Sequence, residues 1–401
     1  MTITLSSNTS WYLFNFRAST IRALVAAGYR VVCLSPPDAH SARLSELGAE
    51  WQALPMDNAG THPLRDLALA ARFWRHYRRL RPEVAFHFTI KNNVYGTWAA
   101  RALGIRVVNN VSGLGTAFIR TGLVPAVVRM LYRLSQPLAH RVFCQNAEDF
   151  ALLRERRLVP AERLALLPGS GVDLRRFHPA LRSRLFSCSG ESRDNTDGNL
   201  DDGGGSPDRA FRRAYPKPLR LLYAGRMLAD KGLAELIEAI GQVNAGGVRC
   251  ALSLCGFAGV ANVSAFDEAT LQAWSRLPGV RWLGPSDDMP GVYAQADAVV
   301  LPSYREGMPR SLLEAGAMGL PVIATDVPGC RHIVTDGVNG LLCEVRSVAS
   351  LRAAIERLLE MTQAERDAMG AAGRARVERD FDERQVVEAA LAVVREVGGS
   401  G

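Results

Sequence analysis

Two glutamates eight residues apart, Glu306 and Glu314, stand in the segment Ser303-Tyr-Arg-Glu-Gly-Met-Pro-Arg-Ser-Leu-Leu-Glu-Ala315. An apolar run, Ala298-Val-Val-Leu-Pro302, predicts a strand leading in. Gly307 permits a tight turn, and Pro309 suits the first turn of a helix continued by Ser311, Leu312 and Leu313. One carboxylate then lies in the turn and the other about a turn and a half into the helix. A helix start presents free N–H groups and the positive end of its dipole, which suit a phosphate. Carboxylates beside it repel phosphate but accept hydrogen bonds from sugar hydroxyls, so the pattern implies a nucleotide sugar. The same spacing also suits a helix start braced by salt bridges, and both readings stand at this level.

Two further segments bear on that ligand. Ala224-Gly225-Arg226-Met-Leu-Ala-Asp-Lys231-Gly232 follows an apolar run. Arg226 has the fork to hold two phosphate oxygens, Lys231 adds a compact charge, and the glycines let backbone approach. A solvated basic turn is the alternative. Gly284-Pro-Ser-Asp-Asp-Met-Pro290, with Ser286, is a loop whose backbone is placed to read a base edge. His87 lies inside a strand-like run and reads as a packed core residue. Asp380-Phe-Asp382 opens the last helix and reads as its cap rather than a metal ligand.

These segments need strands behind them, and the sequence supplies two series. Thr2–Leu5, Tyr29–Ser35, Val84–Phe88, Val107–Val111, Arg141–Cys144 and Leu164–Leu167 read as strands, with helices at Ser19–Ala27, Ala42–Leu47 and Trp98–Leu103. A second series runs through Leu219–Gly225, Cys250–Cys255, Val280–Leu283, Ala298–Leu301, Val322–Thr325 and Gly340–Cys343, with helices at Leu233–Val243, Ala349–Leu359 and Phe381–Val397. This rhythm predicts an α/β chain with two parallel, doubly wound sheets and a ligand cleft at the carboxyl ends of their strands. The expected divisions are 1–179, a linker 180–216, 217–380, and a last helix 381–401 crossing back to the first domain. Residues 187–208 are rich in Gly, Ser and Asp and read as a surface insertion.

The 401 residues carry seven scattered cysteines without a C-x-x-C pair, which predicts reduced thiols in a cytosol. No apolar run is long enough to span a bilayer, and the N-terminus lacks a signal pattern. Charge is uneven. Residues 1–179 hold 23 Lys and Arg against 11 Asp and Glu, a net of +12, whereas 217–401 hold 19 against 23, a net of −4. Leu64 to Arg81 reads as a basic amphipathic helix, with Leu64, Leu67, Ala71, Trp74 and Tyr77 or Arg78 at helical spacing and five arginines in its final ten residues. That is the pattern of a helix lying on an anionic membrane, or of a surface helix packing its stripe inward. Leu123 to Leu138, with Arg129 and Arg133, offers a second contact.

From about Leu164 to Leu359 the chain resembles the retaining glycosyltransferases of family four, which have the GT-B fold of two facing Rossmann-like domains around a central cleft. The resemblance rests on Leu167-Pro-Gly-Ser-Gly-Val-Asp-Leu-Arg-Arg-Phe-His-Pro179, the Gly225-Arg226…Lys231-Gly232 turn and Glu306-Gly307-Met-Pro…Glu314-Ala. Asp326-Val-Pro-Gly-Cys-Arg331 and Asp336-Gly-Val-Asn-Gly-Leu341 extend it. It implies that Arg226 and Lys231 bind the donor diphosphate, Glu306 the donor sugar and Glu314 the ribose. Gly225, Gly307, Met308, Pro309 and Ser286 complete the donor site. No metal and no cofactor beyond the nucleotide sugar, a UDP-sugar by resemblance, is implied.

The first half is similar to bacterial enzymes that extend undecaprenyl-diphosphate-linked sugars, N-acetylgalactosaminyltransferases of protein N-glycosylation among them. It shares Asn8-Thr-Ser-Trp-Tyr-Leu-Phe-Asn-Phe-Arg17, Thr89-Ile-Lys91-Asn-Asn-Val-Tyr-Gly96 and Asn110-Val-Ser-Gly-Leu-Gly115-Thr-Ala-Phe118. O-antigen and capsule transferases with other donors share these motifs. The loop Ser6 to Ser10 lacks the glycines of many relatives. On this resemblance Arg17, Lys91 and Arg120 are expected to meet the acceptor diphosphate, and the protein to sit peripherally on the cytoplasmic face of the plasma membrane. A sugar-nucleotide epimerase shares the architecture but has no use for a lipid-facing helix. A nucleic-acid-binding protein would use the basic half, but no nucleic-acid motif accompanies it.

Overall fold

The apolar runs become strands because both of their faces are covered. In β2 (Arg30–Ser35), Val31 and Cys33 pack with one core cluster while Val32 and Leu34 pack with another, as a parallel sheet between helical layers requires. A computed structural model describes residues 1–57, 63–112, 123–182, 218–259 and 264–399 of the chain. Met1–Gly171 and the segment from Phe381 form one unit, and Val172–Asp380 another.

In the first unit, β1 (Thr2–Ser6), β2, β3 (Glu50–Ala53), β4 (Val84–Phe88), β5 (Arg106–Val111), β6 (Arg141–Cys144) and β7 (Leu164–Leu166) make one parallel sheet in the order β3-β2-β1-β4-β5-β6-β7. In the second, β8 (Leu219–Ala224), β9 (Cys250–Cys255), β10 (Val280–Gly284), β11 (Ala298–Leu301), β12 (Val322–Thr325) and β13 (Gly340–Cys343) run β10-β9-β8-β11-β12-β13, again parallel. Both orders reverse beside the first strand of the unit. The crevices that open there, between β1 and β4 and between β8 and β11, are where open α/β sheets bind ligands.

The structure departs from the sequence reading in several places. The first unit ends at Gly171, not 179. Residues just beyond belong to the second unit, where Arg374 Nη1 donates to the carbonyls of Phe177 (2.8 Å) and Ala317, and Arg182 Nη1 to that of Gly319 (3.0 Å). The 187–208 stretch lies outside the described residues. A helix at Ser10–Phe16 was not expected; Thr9 caps it by accepting from Tyr12 N. Edge strand β3 was missed because Glu-Trp-Gln-Ala has no apolar run. The expected 98–103 helix instead begins as a turn of π-helix, Asn92–Gly96, and continues as Thr97–Arg101. The last helix, Glu383–Gly398, is capped by Asp382 and buries Val386, Ala390, Val393 and Val394 in a core of the first unit.

The amphipathic helix, Pro63–Leu80, carries the most informative correction. Its inward face is Leu69, Phe73, Tyr77 and Leu80, with Asp66. The Leu64, Leu67, Ala71, Trp74 stripe faces out, with Leu64 73% and Leu67 68% exposed. The stripe is therefore not core packing. Arg78 lies over the Trp74 ring, 5.1 Å from its centroid. On the Leu123–Ser135 helix, Met130 and Leu134 are likewise exposed. Among the described residues no helix is long and apolar enough to cross a membrane.

Candidate active site

In the second unit, the loops after β8 and β11 meet at the sheet's switch point, and glycines make the approach physically possible. Gly225 follows β8, and its carbonyl lies where a Cβ on Gly256 would fall; Gly256 has φ +152, which itself disfavours a side chain. The buried Tyr223 donates its hydroxyl to the Arg226 carbonyl at 2.8 Å, fixing the turn while the Arg226 side chain stays exposed. Burial, and next the nearby Glu306 charge, push the Tyr223 hydroxyl well above the usual phenol range, so it remains a donor.

Lys231 ends a short 3-10 turn, Ala229–Lys231, and Gly232 follows at φ +71. A Cβ there would sit 2.1 Å from the Pro302 carbonyl oxygen, so only glycine lets this turn lie against the loop after β11. Tyr304 N donates to the Asp230 carbonyl at 2.9 Å, and the Lys231 ammonium reaches Glu306 Oε1 at 2.5 Å. Gly329, in the short helix Pro328–Arg331, supports Glu306 from below: a Cβ there would lie 2.6 Å from the Glu306 carbonyl and 2.5 Å from that of Gly307. Thr325 also ties the loop by donating its hydroxyl to the Ser303 carbonyl.

Glu314 projects from the helix Arg310–Ala317, for which Pro309 is the N-cap residue. Arg310 Nε donates to Glu314 Oε1 at 2.8 Å, and Tyr293 donates to the Ser311 carbonyl at 3.2 Å. The nearby Glu314 charge adds to burial in holding the Tyr293 hydroxyl protonated. Both carboxylates are thus salt-bridged, as the alternative of a braced helix start expects. Lys231 and Glu306 form one ion pair, Arg310 and Glu314 the other. The sequence reading missed Arg310, although its i,i+4 spacing to Glu314 on a helix was a usable signal. Ser286 lies after β10 and accepts from Asp288 N at 3.1 Å in the turn that leads to the helix Met289–Ala294.

The first-unit residues need two corrections. Lys91, expected to meet the acceptor diphosphate, is not a free cation: its ammonium contacts Asp66 Oδ1 at 2.8 Å, and Tyr95 donates to Asp66 Oδ2 at 3.0 Å. Asp66 sits on the buried face of the 63–80 helix, far in sequence from Lys91, so the pairing was invisible without the fold. Arg17 joins the Ser10–Phe16 and Ala18–Ala26 helices and is only 2% exposed. Its guanidinium stacks 4.4 Å from the Phe88 centroid and donates to Tyr12 Oη at 3.0 Å, which makes it a packing residue rather than a surface cation. Arg120 lies outside the described residues. His87 is fully buried between Tyr77 Oη (2.8 Å) and Asn109 Oδ1 (2.9 Å), and burial lowers its pKa to about 4. It is a neutral core residue, as expected.

Comparisons with known proteins agree with this geometry. The family model "Glycosyl transferases group 1" matches residues 207–376, and "Glycosyl transferase 4-like domain" matches 16–169. The chain is 26% identical over 372 residues, 90% of each chain, to N,N'-diacetylbacillosaminyl-diphospho-undecaprenol alpha-1,3-N-acetylgalactosaminyltransferase of Campylobacter jejuni. It is 22% identical over 306 residues (74% of this chain, 71% of the relative) to UDP-Gal:alpha-D-GlcNAc-diphosphoundecaprenol alpha-1,3-galactosyltransferase of Escherichia coli. Among solved structures, Anabaena HepE in complex with UDP-glucose superposes with a TM-score of 0.74 at 18% identity, covering 99% of this chain and all of that one. That likeness, with the two parallel sheets, gives the GT-B fold. The two family matches span the loops after β8 and β11 and most of the first sheet: the chain belongs to the group 1, 4-like glycosyltransferases and is a glycosyltransferase.

Proposed function

We propose that the enzyme moves a sugar from a nucleotide diphosphate onto a hydroxyl of a saccharide carried on undecaprenyl diphosphate, with retention of anomeric configuration, in bacterial glycan assembly. The observation that carries this reading is the Lys231–Glu306 pair beside the Gly225-Arg226 turn at the switch point of the second sheet. Arg226 and Lys231 hold the departing diphosphate, where negative charge grows in the transition state. Glu306 accepts from donor-sugar hydroxyls and Glu314, held by Arg310, from the ribose. The backbone at Gly225, Gly307, Met308 and Pro309 lies near the phosphates, and Ser286 near the base. The bond from the anomeric carbon to the phosphate oxygen breaks as the acceptor oxygen attacks from the same face. The acceptor proton passes to the departing phosphate oxygen. This scheme needs neither an enzyme nucleophile nor a metal ion.

The donor we favour is UDP-N-acetylgalactosamine or a related UDP-hexose. The similarity to the Campylobacter enzyme over 90% of both chains supports it, while the galactosyltransferase relative keeps a UDP-galactose donor in play. The outward Leu64, Leu67, Trp74 stripe, among Arg65, Arg75 and Arg78, supports docking on the anionic cytoplasmic face of the membrane that carries the acceptor. A panel of nucleotide sugars incubated with a diphospho-undecaprenyl saccharide tests the reading. A lipid-linked product one sugar longer is expected with a UDP-sugar. Hydrolysis or epimerisation of the donor without transfer would overturn it.

A further inference from the structure

Tyr304 lies two residues before Glu306 and grips the Lys231 turn from both sides. Its backbone N donates to the Asp230 carbonyl at 2.9 Å, and its hydroxyl donates to Glu235 Oε1 at 2.5 Å. Asp230 precedes Lys231, and Glu235 stands in the first turn of the helix Leu233–Val243 that follows Gly232. A hydroxyl bond this short to a carboxylate is charge-assisted and stronger than a neutral one. Burial, and next the Glu235 carboxylate, push the Tyr304 hydroxyl up to about 12, so it remains a donor throughout the neutral range. Arg346 has left-handed backbone, φ +59, just before Ser347, the N-cap of the helix Val348–Glu360. That conformation is uncommon for a residue with a side chain. It goes with a guanidinium 4.5 Å from the Tyr304 ring centroid, a cation–π contact that holds the ring in place.

The strands behind these loops do not need such a brace. Leu221 and Leu222 of β8 and Val299 and Val300 of β11 are at most 1% exposed, and the two strands pair directly. The Tyr304 bonds lie beyond the strand ends and reach the residues that flank Lys231 and Gly232. Lys231 in turn meets Glu306 at 2.5 Å. Two cross-links therefore join the same two loops, one made by Tyr304 and one by the ion pair itself. A diphosphate that draws the ammonium toward it opens the second link. The first depends on no ligand and keeps the loops in register.

We propose that Tyr304 is a positioning residue for transfer: held by Glu235 and Arg346, it fixes the spacing between the Lys231 ammonium and the Glu306 carboxylate. The inference rests on the transferase reading above and deepens it, with Tyr304 acting through Lys231 and Glu306 rather than on the substrate. A cation already in place is worth more at a departing diphosphate than one that must move there as charge develops. Loss of the Tyr304 hydroxyl is then felt in the transition state more than in ground-state binding. It lowers kcat and leaves the donor KM nearly as it was.

Steady-state kinetics on the whole protein, with the nucleotide sugar it transfers and below the melting temperature of every variant, test this. Tyr304→Phe should lower kcat about tenfold with the donor KM within about twofold. Glu235→Ala removes the acceptor instead and should do the same, and the double variant should lose no more than either alone. Glu235→Gln keeps a carbonyl for the hydroxyl and should retain transfer within about threefold. Should Tyr304→Phe fail to fold, Glu235→Ala carries the comparison. A second readout needs no turnover. The chain has three lysines, Lys91, Lys217 and Lys231, so NMR of isotope-labelled lysine side chains gives a Lys231 signal identified by its loss in Lys231→Met. In Tyr304→Phe and in Glu235→Ala that signal should move toward that of an unpaired lysine. An unchanged kcat, a raised donor KM with kcat intact, or an unmoved Lys231 signal overturns the proposal. The two readings fail separately. A wild type that transfers from no donor sinks the transferase reading, and the Lys231 signal still decides on Tyr304; wild-type kcat in Tyr304→Phe sinks the positioning role alone.

Discussion

Replacing Lys231 with methionine separates what this cation does for the fold from what it does for transfer. Its ammonium sits 2.5 Å from Glu306 Oε1, with only 17% and 12% of the two side chains exposed. At an effective dielectric of about 20, unit charges about 4 Å apart attract by roughly 4 kcal/mol, and desolvation offsets much of that. Lys231→Met leaves Glu306 little exposed and without its cation, so a loss of about 2 kcal/mol in unfolding free energy is expected. Adding Glu306→Gln removes the stranded charge. The double variant should therefore recover most of the stability, with a coupling of about 1–2 kcal/mol across the cycle. Transfer follows a different rule. Losing one preorganised positive group at the departing diphosphate costs about 10²–10³ in kcat, and the double variant regains none of it. Denaturant midpoints and steady-state release of nucleoside diphosphate read the two quantities on the same four proteins. A Lys231→Met enzyme that turns over within about threefold of wild type, while the cycle still shows coupling, would reduce the pair to a structural brace and refute the assignment.

Other perturbations follow from the same geometry. Gly329→Ala forces a Cβ to within 2.6 Å of the Glu306 carbonyl; it should displace that loop and cost about 1–3 kcal/mol along with most transfer, read by thermal unfolding and turnover. Burial holds the His87 pKa at about 4, below its value near 6.5 when unfolded. The unfolded chain therefore binds the extra proton first, and this contribution, fully present above about pH 6.5, is lost as pH falls toward 4, by about 3 kcal/mol. His87→Gln should flatten that part of the stability–pH curve. Leu64→Ser with Leu67→Ser should leave unfolding within about 0.5 kcal/mol, since both side chains are exposed, yet weaken binding to anionic vesicles at least about tenfold; unchanged sedimentation with vesicles would remove this helix from the membrane contact.

Much of the fold was legible because strands buried on both faces write themselves as apolar runs, and helices between them as amphipathic ones. The Val31-Val-Cys-Leu34 run and the Leu233–Val243 helix are examples. What stayed illegible lacked such a signature. Edge strand β3 is half polar, and the turn at Asn92–Gly96 is set by Thr89, whose left-handed backbone no propensity foretells. Glu306, Glu314, Arg226 and Lys231 stand out as candidates because turn chemistry and charge lie together in sequence. Partners remote in sequence were not. Asp66 neutralises Lys91 from 25 residues away, and the carbonyls packed on Gly329 and Gly232 appear only in three dimensions. The outward stripe of the 63–80 helix was read correctly as apolar and basic, but its direction depended on the second stripe, Leu69, Phe73, Tyr77 and Leu80, that competes with it for the core.

The proposed reaction is transfer of a sugar, with retention, to a lipid-linked saccharide. Its most direct test is to incubate the enzyme with α-linked UDP-sugars and a diphospho-undecaprenyl saccharide, then determine the mass and anomeric configuration of the isolated product. The expected product is the acceptor extended by one α-linked sugar, formed by the wild type and lost with Arg226→Ala. A β-linked product, or full transfer by the Arg226→Ala enzyme, would contradict it.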